Sequence, residues 1–106
     1  MIVLSPKAVF SGDCDKHRKK IERHISHGHC PRDVYYLLLR SEKAQGLMDI
    51  INGRELSRLP VYEDRTVAVG IARSRAEAVD IAAMIISLHH PEKPGLKDRI
   101  CCYYKF

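Results

Sequence analysis

No apolar run in this 106-residue chain reaches the roughly 20 residues needed to span a bilayer. The opening Ile-Val-Leu is too short for a signal-peptide core and has no basic stretch before it. With neither signal present, the expectation is a cytoplasmic protein that engages no membrane. Cys14, Cys30, Cys101 and Cys102 then read as free thiols rather than disulfide partners. The chain also lacks Gly-x-Ser-x-Gly, Cys-x-x-Cys and His-Glu-x-x-His, which removes the motif support for hydrolase, dithiol and zinc-protease chemistry. It has no Walker or dinucleotide glycine pattern and no glycine/aromatic signature of a sheet-type RNA binder. There is no internal repeat, low-complexity tract or linker, so residues 1–106 read as one α/β domain.

What the chain does contain is ordinary for a globular protein, with 45% hydrophobic and 29% charged residues. Its net charge of +5 is concentrated at one end. Residues 1–32 hold seven Lys/Arg against three Asp/Glu, whereas residues 33–106 hold eleven against ten. The basic character therefore belongs to one segment and not to the whole fold.

The rest of the chain is organised around residues 66–90. Residues 66–72 alternate, with Val67, Val69 and Ile71 on one face and Thr66, Ala68, Gly70 and Ala72 on the other. That period predicts a strand with one bulky and one bare face. Gly70 in its interior suggests close approach of another group. Ser74 and Glu77 have capping-box spacing, with Ser74 receiving the N–H of residue 77 and Glu77 reaching back to the N–H of Ser74. A helix follows from Arg75 to about Leu88, apolar over more than half its circumference and so buried on a wide front. His89 and His90 suit the negative end of its dipole, and Pro91 helps to stop it.

Residues 2–4 read as a first strand, with an optional extension to Phe10 around Pro6, which marks an edge, a bulge or an end. Ser11-Gly12-Asp13 is a turn, and residues 14–27 form a helix with a thin apolar stripe. Ile21 and Ile25 make up that stripe, with Cys14 and Arg18 on the same side. Residues 34–39 are apolar on both faces and predict a buried strand. Ala44, Leu47, Met48 and Ile51 have helical spacing, which is preferred over a hairpin turning at Asn52-Gly53. A short edge strand over 56–62, a loop over 91–95 and a final strand over 99–106 complete the order. The expected fold class is α+β, a ferredoxin-like split βαβ (βαββαβ) with an insertion at about 41–62. The alternative is a small, mostly parallel α/β sheet with three helices. In the first arrangement one sheet face stays open.

Three constellations bear on function. Arg73, Ser74 and Arg75 lie where a strand gives way to a helix, a place where backbone N–H groups attract a small anionic ligand. Lys16, Arg18, Lys19, Lys20 and Arg23 form a basic helix suited to tracking nucleic-acid phosphates. Tyr35, Tyr36, Tyr103 and Tyr104 on strands would offer it a weak aromatic platform. His24, His27, His29 and Cys30 are metal-ligating residue types, but their spacing matches no standard zinc pattern. They read instead as histidines at a helix end beside a buried thiol, and no metal or cofactor is expected. Cys14 is the most reactive thiol expected, since a helix N-terminus lowers thiol pKa, with Asp13 and Asp15 opposing. The leading expectation is a non-enzymatic protein that forms a homodimer through its open sheet face and binds a small anion near residues 73–75. A nucleic-acid backbone binder using the helix at 14–27 is the alternative, and an enzyme of undefined class comes third.

Overall fold

The computed structural model describes residues 2–26, 35–40, 46–53 and 66–104. Strand β1 (Ile2–Phe10) leads through a 3-10 helix (Gly12–His17) into α1 (Arg18–Ser26). Strands β2 (Tyr36–Arg40), β3 (Asp49–Asn52) and β4 (Thr66–Ala72) follow, and then helices α2 (Arg75–Leu88) and α3 (Leu96–Tyr103). The fold is α+β, with a four-stranded mixed sheet in the order β1-β4-β2-β3. β1 runs parallel to β4, whereas β2 is antiparallel to both of its neighbours.

The ferredoxin-like arrangement is not the one adopted. In that topology every neighbouring pair is antiparallel, but here β1 and β4 are parallel. The expected last strand is also absent, because most of 99–106 belongs to α3. Leu96, Ile100 and Tyr104 recur every four residues and turn one side to the core, with Ile100 and Tyr104 buried. The alternative of a mostly parallel sheet is equally unmet, with one parallel pair of three, although it anticipated three helices. The helix expected through Ile51 gives way to β3, which pairs with β2 from Leu39↔Asp49 to Tyr36↔Asn52. The expected strand over 56–62 lies outside the described residues.

Helices cover the sheet on both sides, and each side has its own core. On one side Leu4, Leu37, Leu39, Ala68 and Ile71 pack with Cys14, Ile21 and Ile25 of the first helical segment. On the other, Leu38, Val67, Val69 and Ala72 pack with Ala78, Ile81 and Ile85 of α2 and with Ile100 and Tyr104. Every residue of β4 is buried. The open sheet face expected to mediate self-association is therefore not present along β4.

β4 serves both cores by the alternation of any strand covered on both faces, and a bulge sets which of its residues face which core. Leu38 lies opposite Gly70 and Leu39 opposite Ala68, which leaves Val69 as an extra residue. Val67 and Val69 face α2, while Ile71 faces α1 and Ala72 faces α2. Strict alternation, with all three bulky residues on one face, is thus broken at residues 69–70. The opposite pairing carries a larger irregularity. β1 spends five residues from Leu4 to Val9 while β4 advances two, from Ala68 to Gly70. Pro6, which has no N–H to give the ladder, sits in this outward bulge of an edge strand.

Thr66 begins β4 fully buried, and its Oγ1 has no hydrogen-bond partner. Thr66→Val keeps the branched shape and removes a desolvated hydroxyl, so a gain of about 1 kcal/mol is expected. A shift of the urea midpoint to higher denaturant at constant slope is the readout; a shift to lower denaturant would contradict it.

Candidate functional site

The turn from β4 into α2 is stitched to the end of β1. The Ser11 N–H donates to the Ile71 carbonyl at 2.9 Å, and the Ser11 Oγ accepts from the Arg73 N–H at 3.1 Å. Ser74 is the N-cap of α2, and its hydroxyl accepts from the Glu77 N–H at 3.2 Å. The Glu77 carboxylate does not return to Ser74. It takes a hydrogen bond from the Ser11 hydroxyl at 3.0 Å and pairs with the Arg73 guanidinium at 2.9 Å. Arg73 lies across Gly12, where an added β-carbon would overlap its guanidinium. The bond from Arg73, and then that from Ser11, hold the Glu77 carboxyl below the usual carboxylate range. Arg73 and Ser74 thus lie in the turn that enters α2, and Arg75 is exposed on its first turn. A carboxylate of the chain itself already occupies the place of an anion beside Arg73. Ser11, 66 residues from Glu77 in sequence, carried no local signal for this role.

The basic segment divides into inward and outward residues. Arg18 lies on the packing side of α1, as the spacing of Ile21 and Ile25 implied. Its guanidinium donates to the carbonyls of Ser5 and Pro6 at 3.1 and 3.0 Å, within the stretch of β1 whose register against β4 shifts. The same group lies 5.1 Å from the centre of the Phe10 ring. Lys16, Lys19, Lys20 and Arg23 are all exposed on the opposite side. The expected tyrosine platform does not form, because Tyr35 and Tyr104 are buried and Tyr103 and Tyr104 are not on a strand. Cys14 is also buried, packed as a small apolar side chain and not displayed as a reactive thiol. Of the four residues of metal-ligating type, His27, His29 and Cys30 lie outside the described residues, as does the side chain of His24.

The C-terminal end of α2 is closed by α3. Arg99 donates to the carbonyls of His89 (2.9 Å), His90 (2.7 Å), Lys93 (3.1 Å) and Pro94, gathering the loop around one guanidinium. His89 stacks edge-on against Tyr103 and Tyr104 at 4.7 and 5.6 Å between ring centres. Burial, with Arg99 and His90 nearby, lowers the His89 pKa. The dipole-stabilised cation expected there is thus disfavoured.

The outer side of α2 is the least satisfied surface among the described residues. Ala78, Ile81 and Ile85 face the sheet. Ala76, Val79, Asp80, Ala83, Met84, Ser87 and Leu88 face outward, with Val79, Met84 and Leu88 exposed at 47%, 41% and 64%. The apolar circumference of this helix was visible in the sequence, but which side would stay bare was not. No described helix is long and apolar enough to cross a membrane. Compared with known proteins, the chain matches no family model, no curated protein and no solved structure.

Proposed function

We propose that this chain is a non-enzymatic, cytoplasmic module that self-associates through the outer face of α2. The observation that carries the reading is the exposure of Val79, Met84 and Leu88 on a helix whose opposite side is already committed to the core. A helix apolar over more than half its circumference ordinarily has neighbours on more than one side. Ala76, Ala83 and Ser87 are small, so two backbones can approach closely beside the exposed Asp80, which stays at the solvated side of the contact. Antiparallel pairing of two copies also sets their helix dipoles head to tail. Charge favours a second copy on this face over one on α1. The basic surface of α1 lies across the sheet, so contact through α2 keeps the two positive faces as far apart as the fold permits. The free thiols Cys14, Cys101 and Cys102 are in keeping with a reducing compartment. A small anion at Arg73, Ser74 and Arg75 would compete with the Glu77 carboxylate bonded there, which makes self-association the reading that the geometry favours.

A 14-residue helix is only about 21 Å long, so the interface is small and a dissociation constant in the micromolar range is expected. Sedimentation equilibrium from about 5 to 500 μM covers that range and should show a monomer–dimer transition. Val79→Glu with Ala83→Glu should leave a folded monomer. A wild-type monomer throughout that range overturns the proposal.

A further inference from the structure

Independently of α2, we infer that the outer face of the first helical segment binds the phosphate backbone of duplex nucleic acid without reading its bases. At about 120° per residue through the 3-10 helix and about 100° through α1, Lys16, Lys19, Lys20 and Arg23 fall on one side, opposite Cys14, Ile21 and Ile25, which are buried. From Lys16 to Arg23 the helix axis advances about 11 Å at roughly 1.5 Å per residue. Laid along a duplex axis, that span faces about three phosphates of one strand at roughly 3.4 Å of axis each. Glu22 is the acidic residue exposed in this stretch. Among the described residues, Lys19 and Lys20 take no hydrogen-bond or ion-pair partner.

The face is also held rigidly. Arg18 ties the start of α1 to the Ser5 and Pro6 carbonyls of β1, so the four outward cations sit on an anchored rod. This anchoring distinguishes a polyanion surface from a membrane helix, which needs its apolar side for lipid. Ile21 and Ile25 are already spent in the core. Among the described residues, Tyr35 and Tyr104 are buried and offer no face for base stacking. What is left is a phosphate-positioning contact of the kind that carries affinity but no sequence information.

The test is fluorescence anisotropy with a labelled 20-base-pair duplex at 50 and 200 mM salt. Two to four phosphate contacts give a log–log salt slope of about −2 to −4, a roughly 10- to 150-fold loss of affinity across that range. Two unrelated duplex sequences should bind alike. Lys19→Glu with Lys20→Glu should weaken binding at least about tenfold, whereas Lys19→Arg with Lys20→Arg retains it. Circular dichroism melting checks folding; if the Glu pair is unfolded, Lys19→Gln with Lys20→Gln takes its place and should still weaken binding. No binding at 50 mM salt, affinity indifferent to salt, or loss-free substitution of both lysines by neutral or acidic residues overturns the inference. So does tighter binding to phosphatidylserine vesicles or polyglutamate than to the duplex. None of these measurements depends on dimer formation, so failure here and failure of α2 pairing are separately visible.

Discussion

Arg40→Ala is expected to lower the unfolding free energy by about 3 kcal/mol. Arg40 ends β2 on the α2 side of the sheet and is 5% exposed. Its Nε and Nη2 donate to the Tyr104 carbonyl at 3.2 and 2.9 Å, joining residues 64 apart across the molecule. Tyr104 is buried as well, and burial with Tyr103 nearby raises its phenol pKa. Cutting the side chain back to alanine therefore removes two charge-assisted bonds, leaves a carbonyl without that donor, and deletes the packed aliphatic stem. Arg40→Met keeps most of the stem and isolates the electrostatic part. It should cost less than alanine but still about 1–3 kcal/mol, because the lost donor is not replaced. Urea unfolding with an unchanged slope measures both. If Arg40→Met were as stable as the parent, the cost of desolvating the guanidinium would equal what its bonds return.

Gly70→Val is expected to cost about 3 kcal/mol or to prevent folding. A β-carbon at residue 70 would lie 3.0 Å from Leu38 Cδ1 and 3.1 Å from Ile81 Cγ2. Both neighbours are buried and packed, so neither has free space to move into. Valine adds two methyl groups beyond that already tight carbon. Gly70→Ala probes the β-carbon alone, and its coupling to Ile81→Leu, which removes the offending methyl, tests the contact directly. The double variant should be more stable than the sum of the single effects by at least about 0.5 kcal/mol. Strict additivity would mean that α2 does not approach β4 at this residue.

Both positions bear on how much of the structure was legible in the sequence. The strand at Thr66–Ala72, its glycine and the helix at Arg75–Leu88 follow from local patterns, and the structure has them at those bounds. The close approach at Gly70 was signalled by the missing side chain. The identity of the approaching group, Ile81 of the following helix, was not. Residues 99–106 misled because tyrosine and isoleucine favour strands, and only the inclusion of Leu96 brings out the four-residue spacing of α3. The thin apolar stripe on α1 correctly put Arg18 with the packing residues, but its target, a bulge in β1, depends on register between distant segments. The same holds at the α2 N-terminus. The Ser74 cap was local and readable, whereas the turn of Glu77 toward Ser11 and Arg73 required knowing that β1 ends beside β4.

The bulge at Val69 also governs how the molecule comes apart. β4 gives Val67, Val69 and Ala72 to one core and Ala68 and Ile71 to the other, the bulge having exchanged the sides of its last two residues. Neither α1 nor α2 rests on a layer that the other can do without. Loosening the strand under one helix shifts the register that positions side chains beneath the other. The two halves therefore open as a single cooperative unit, and the slowest-exchanging amides of β2 and β4 should report one common opening free energy.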